Sequence, residues 1–125
     1  MGQKNKRSIG TSGEEAASDY LSKVGYEIIA RNYRVGRLGE IDIIARENEY
    51  ICFIEVKTRK NYLFGTPSES VNWRKRESIK KLAWVFIKQN NLNGSNMRFD
   101  IVEVIGSYEN DRIKAETINL MRNAF

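Results

Sequence analysis

Apolar positions along this chain fall into two helical repeats and five short extended runs. Thr11-Ser12-Gly13-Glu14-Glu15 offers N-cap and capping-box chemistry for a helix ending near Gly25. The apolar stripe of that helix is Ala17, Tyr20, Leu21 and Val24. At 100° per residue Glu14 lies about 70° from the centre of the stripe, and Glu15 about 170° away. Glu14 is therefore expected to lean toward whatever the helix packs on, and Glu15 to face water. Extended runs follow at about Tyr26–Tyr33, Glu40–Glu47 and Tyr50–Lys57. A polar loop containing Phe64-Gly65-Thr66-Pro67 leads to the longest helical repeat, about Ser68 to Asn90. Its stripe is Val71, Ile79, Leu82 and Phe86, with Lys75 in the middle and Trp73 and Trp84 on the opposite side. Two more strands are expected at about Met97–Ile105 and Arg112–Ile118.

Residues 1–10 are polar, basic and aperiodic and read as a disordered arm, leaving 11–125 as a single domain. The third extended run is apolar on both faces, which marks a central strand covered on both sides. The pattern predicts an α/β fold, a mixed sheet of four or five strands flanked by two main helices.

Three charges interrupt the apolar strands: Asp42 in Gly39-Glu40-Ile41-Asp42, then Glu55 and Lys57 in Glu55-Val56-Lys57. If Asn48-Glu49 is a two-residue turn, antiparallel partners have numbers summing to 97. Asp42 then faces Glu55, and Glu40 faces Lys57, on one side of the hairpin. Opposed Cβ atoms lie about 4.5–5.5 Å apart, so the two like charges destabilise the pair unless a cation sits between them.

Composition narrows the chemistry further. The chain has one cysteine, Cys52, and no histidine, so Ser-His-Asp and Cys-His mechanisms are excluded and common zinc sites disfavoured. Catalysis here must rest on carboxylates, lysine and a hard metal. No apolar run suits a membrane span and no signal-peptide core is visible, and the lone cysteine suits a reducing compartment, so a cytoplasmic protein is expected. Net charge is +5 and the pI about 9.4. Nine basic residues stand between Lys57 and Lys88 against Glu69 and Glu77, an excess that suits a polyanion.

Phosphodiester hydrolysis needs an activated water and a cation to neutralise charge developing on phosphate. Magnesium or manganese held by two or three carboxylates meets both needs, and a lysine beside the metal can orient the water. Asp42, Glu55 and Lys57 match that set, with Glu14 as a fourth member from the first helix.

The spacing Asp-x(12)-Glu-x-Lys after a helix that contributes Glu resembles the PD-(D/E)XK restriction-endonuclease-like superfamily. More narrowly, the chain resembles the bacterial YraN-type family of predicted endonucleases, themselves similar to archaeal Holliday-junction resolvases. The resemblance is carried by Gly13-Glu14-Glu15-Ala16-Ala17, Arg31-Asn32-Tyr33-Arg34, Gly39 to Ala45 and Phe53 to Arg59. It continues through Phe64-Gly65-Thr66-Pro67, Val71 with Lys75, and Asn123-Ala124-Phe125. It implies a restriction-endonuclease-like sheet, with Asp42 and Glu55 as Mg2+ or Mn2+ ligands and Lys57 as the catalytic lysine. Glu14 would be the helix-borne acid near the metal, and Lys75 a polar residue facing the site. Ile41 stands where the superfamily name implies proline, a departure that fits the resolvase-like branch better than a generic restriction enzyme.

The expectation is a metal-dependent endonuclease acting on DNA, including branched or structured DNA. Arg59, Lys60, Arg74, Lys75 and Arg76 are expected at the nucleic acid, and two-strand cleavage leaves room for a homodimer. The competing expectation is a binding module or scaffold that keeps the fold without turnover, for which the outward tryptophans speak. At single residues the plainer roles are a helix-dipole acid for Glu14 and a snorkelling cation for Lys75. For Asp42, Glu55 and Lys57, burial for stability alone would be costly.

Overall fold

A strand that is apolar on both faces must be covered on both, and this requirement organises the chain. The computed structural model describes residues 6–60 and 72–125. Helix α1 (Lys6–Lys23) leads into β1 (Glu27–Arg34), β2 (Glu40–Glu47) and β3 (Tyr50–Arg59). Helix α2 (Trp73–Gln89) precedes β4 (Asn96–Glu109) and β5 (Arg112–Met121). One sheet runs in the order β1-β2-β3-β4-β5. β3 and β4 are parallel and the other neighbouring pairs antiparallel. This mixed five-stranded sheet with two flanking helices is the α/β architecture that the pattern predicted. Among the described residues no helix is long and apolar enough to cross a membrane. The Phe64–Pro67 loop, a helix start at Ser68, Val71 and Tyr62 fall outside the described residues.

β3 separates two apolar layers. Toward α1, Ala17 and Leu21 pack with Ile43, Cys52, Ile54, Val56 and Val102. Toward α2, Ile79, Leu82, Phe86 and Ile87 pack with Ile44, Ile51 and Phe53. Each fully buried large side chain contributes about 1.5–3 kcal/mol through removal from water. The regular alternation of strand faces breaks at Asp42, because Ile41 joins the α2 layer while Ile43 joins the α1 layer.

The first helix begins earlier than expected. Residues 6–10, read as part of a disordered arm, form its opening turns, and Ile9 is buried. Ser12 therefore does not cap a terminus. Its Oγ donates to the Ile9 carbonyl and accepts from the Ile113 amide, both at 2.8 Å, joining α1 to β5. The stripe continues backward through small residues, Ser12 and Gly13, that carry no hydrophobic signal. Val24, assigned to the stripe, is exposed.

Gly13 lets α1 press directly on β3. A Cβ there would collide with the Thr58 hydroxyl, and with that hydroxyl turned away Thr58 Cβ, at 3.1 Å, would still be tight. In an ordinary helix interior Gly→Ala stabilises by roughly 0.5–1 kcal/mol. Here overpacking reverses the sign, and Gly13→Ala is expected to destabilise by about 1–3 kcal/mol in urea unfolding. A stabilised variant would show that α1 does not sit this close to β3.

Candidate active site

The hairpin register places the acids. β2 and β3 pair from Glu47–Tyr50 to Ile43–Ile54, every pair summing to 97 as the two-residue turn requires. Asn48, in that turn, takes a left-handed φ of 54°, which asparagine tolerates. Beyond Ile43 the Val56 amide donates to Asp42 Oδ2 at 2.8 Å. Asp42 and Glu55 are both buried, and the Glu55 charge acts directly on Asp42. Burial, then the Glu55 charge, push the Asp42 carboxyl up to about 8 against the opposing Val56 amide.

Two lysines answer this negative charge. Lys75 Nζ lies 2.7 Å from Glu55 Oε1, and Lys57 Nζ lies 3.9 Å from the same oxygen. Lys75 comes from α2, where its place within the apolar stripe predicted that it would turn toward the sheet. Burial, then Lys75, bring the Lys57 ammonium down to about 8. Burial also pulls Lys75 down, but its bonds to Glu55 and Lys57 outweigh that and the net shift is upward.

Glu55 Oε2 is buried with no hydrogen-bond partner among the described residues. An orphaned carboxylate oxygen beside a second acid is a poor arrangement for stability alone. It suits a hard divalent cation, which uses one or two carboxylates and fills its remaining positions with water or phosphate oxygen. Asp42 and Glu55 thus fit Mg2+ or Mn2+. Among the described residues no three acidic or cysteine side chains stand together as an ion-holding group, so Glu14 is set apart from the Asp42–Glu55 pair as the side chains stand here. Glu14 stands at the edge, its carboxyl raised by burial and then by Glu40, with Arg31 and an Asn32 hydrogen bond opposing. It lines a cleft of about 600 Å³ with Arg7, Thr11, Asn32, Arg34 and Glu40. Glu40 pairs with Arg34 at 3.0 Å on the neighbouring strand, not with Lys57. Glu15 leans out to Arg112 at 3.0 Å.

The basic residues divide by environment. Lys60 and Arg74 are exposed. Arg76 lies over the Phe125 ring at 5.6 Å. Arg59, expected at the nucleic acid, is mostly buried and paired with Glu103 at 3.3 Å. Glu103 also accepts from Asn119 at 3.2 Å and stands beside Lys57 in the parallel β3–β4 register. The pattern gave one signal for Glu103, an acid inside an apolar run, the same signal that singled out Glu55.

A second polar cluster escaped the sequence reading. Arg98 donates to Glu47, Asp100 and Tyr26 at 2.6–2.9 Å, and Arg122 forks onto Glu47 at 2.7 and 2.8 Å. The two guanidinium partners, with burial opposing, hold the Glu47 carboxyl down at about 2. Asp100 also accepts from Tyr26 at 2.9 Å and from the Asn123 amide at 2.9 Å. The cluster is assembled from residues 26, 47, 98, 100, 122 and 123, so no local spacing announces it.

Residues 13–104 match the uncharacterised protein family UPF0102. The chain belongs to that family. It is 48% identical to a UPF0102 protein of Acetivibrio thermocellus over 121 residues, covering 97% of this chain and 93% of the relative. A UPF0102 protein of Caldicellulosiruptor saccharolyticus is 46% identical, over 97% of this chain and 99% of its own length. Another from Caldanaerobacter subterraneus is 43% identical over the full length of both. The matched span of this UPF0102 chain contains Glu14, Asp42, Glu55, Lys57 and Lys75.

The shifts fix a pH signature for the metal-free protein. Asp42 is raised, so its contribution to stability is full below the ordinary carboxyl range and is lost as pH rises toward 8. Lys57 is depressed, so its contribution is full above the ordinary lysine range and is lost as pH falls through about 8. Urea unfolding in chelator is expected to show a stability minimum near pH 8. Asp42→Asn should flatten the acidic limb and raise the melting temperature at pH 8. An unchanged profile in that variant would remove Asp42 from the buried pair.

Proposed function

We propose that this protein is a divalent-metal-dependent phosphodiesterase, an endonuclease acting on DNA, with Asp42 and Glu55 as ligands and Lys57 as the catalytic lysine. The observation that carries the reading is the buried Asp42–Glu55 pair, with one orphaned carboxylate oxygen and two lysines turned onto it. A purely structural ion pair would leave no oxygen unpaired and would need no second lysine. The resemblance to PD-(D/E)XK enzymes and YraN-type predicted endonucleases points the same way.

When bound, the cation supplies Lewis acidity toward phosphate and makes a coordinated water more acidic. The remaining work falls to the chain. Asp42 is held by the Val56 amide, so one of its oxygens is fixed by the strand itself. Lys57 Nζ, brought down to about 8, can offer charge to a phosphoryl oxygen or exchange a proton near neutral pH. Lys75 offsets the Glu55 charge from α2 and keeps the carboxylate in place. Glu14, aligned by Asn32, adds negative potential at Asp42 and acts as an outer acid. Lys60 and Arg74 supply exposed positive charge for the phosphate backbone, whereas Arg59 serves the sheet through Glu103.

Cleavage should be assayed over duplex, nicked, flapped and four-way DNA with Mg2+ and Mn2+. Asp42→Asn, Glu55→Gln and Lys57→Ala are each expected to lower the rate about a hundredfold or more while DNA binding survives. Cleavage that persists in chelator, or in Asp42→Asn, would rule out this mechanism. Binding without cleavage by the parent on every substrate and metal would favour the module that keeps the fold without turnover.

A further inference from the structure

The chain contains two tryptophans, and both stand in water. Trp73 is 72% exposed and Trp84 57%. They are eleven residues apart on α2, so at 100° per residue they point within about 20° of each other, about 16 Å apart along the axis. Large apolar side chains aligned on one face and left uncovered mark a binding surface. The C-terminal segment does not cover them. Its Phe125 packs on Phe99, and the Ala124 amide bonds the Phe99 carbonyl.

The surroundings of the indoles identify the partner. Helix α2 carries Arg74, Lys75, Arg76, Lys80, Lys81 and Lys88 against a single acid, Glu77. Glu77 is offset by Lys80 at 3.9 Å. Lys88, Lys81 and Arg74 are exposed and lie about 50°, 70° and 90° round the helix from the indoles. A second copy of this face would bring like charges together, so self-pairing is opposed. A polyanion is favoured, and flat aromatic rings between cations suit one whose own ring faces are accessible. Duplex DNA hides its base faces and an unpaired strand exposes them. The 16 Å between the indoles corresponds to about five stacked nucleotides at 3.4 Å each, and to fewer in an extended strand. Lys75, which bonds Glu55, leaves α2 about 160° round the axis from Trp73, so the indole face lies on the far side of the helix from the acid pair.

We infer that the outer face of α2, with Trp73 and Trp84 as stacking platforms and Arg74, Lys81 and Lys88 as phosphate contacts, binds an unpaired nucleic-acid strand. The docking surface stands on the indoles and their cations and is independent of the hydrolase reading.

Because these are the chain's whole complement of indoles, intrinsic emission reads this face directly. The experiment uses the full chain carrying Asp42→Asn, titrated with a twelve-nucleotide oligothymidylate and with a blunt twelve-base-pair duplex. The single strand is expected to quench emission to saturation, in a salt-dependent way. Trp73→Ala and Trp84→Ala should each weaken single-strand affinity about fivefold or more, with less than about a twofold change for the duplex. Phe at either position should restore most of the loss. Equal losses for both ligands, or no quenching by the single strand, would overturn the proposal. So would emission that changes with protein concentration alongside sedimentation as a dimer, or quenching by phosphatidylserine vesicles but not by oligothymidylate. Cleavage by the parent is scored separately. Quenching without cleavage defeats the hydrolase and leaves the docking surface standing, whereas cleavage without quenching defeats the docking surface alone.

Discussion

Two carboxylates held against each other in a dry hairpin set the terms for the rest of this molecule. Once Asn48-Glu49 turns the chain, the register leaves Asp42 and Glu55 as neighbours. Both are more than nine-tenths buried, because α1 and α2 cover the two faces of β3. The resulting repulsion is contained by three local devices. Asp42 is raised to about 8 and so holds a proton at neutral pH, the Val56 amide fixes one oxygen of its carboxyl group, and Lys75 crosses from α2 to Glu55. The orphaned Glu55 oxygen shows that the containment is incomplete. A cation between the acids would displace the proton, relieve Lys75 and satisfy that oxygen together.

The opposite end of the sheet handles buried charge differently. Around Arg98 every acid is matched: Glu47 meets two guanidinium groups, and Asp100 meets Arg98, Tyr26 and the Asn123 amide. That cluster pins the C-terminal residues onto β4. One chain thus contains a saturated polar network and an unsaturated one, and the proposed chemistry is placed at the second.

The sequence carried the site further than it carried the edges of the fold. Asp42, Glu55 and Lys57 were legible because strand alternation turns a charge in an apolar run into a positional statement. Lys75 was legible from its angle on the α2 stripe. The opening turns of α1 were not, since Ser12 and Gly13 pack by being small and leave no hydrophobic mark. The partner of Arg59 was hidden for a related reason: a basic residue just after Lys57 looks available until Glu103, 44 residues later, is brought beside it by the parallel β3–β4 pairing. Periodicity reports which face a residue takes, and it is silent about partners brought in by tertiary pairing.

The central claim is that the buried pair is a cation site closed by a proton, and calorimetric titration of the full chain with Mn2+ tests it most directly. At pH 7, in two buffers of different ionisation enthalpy, one ion should bind per chain with release of about one proton, because Asp42 must give up the proton it holds. Glu55→Gln should abolish the binding, and Asp42→Asn should abolish the proton release. Binding of equal strength in Glu55→Gln, or binding by the parent with no proton released, would contradict the account.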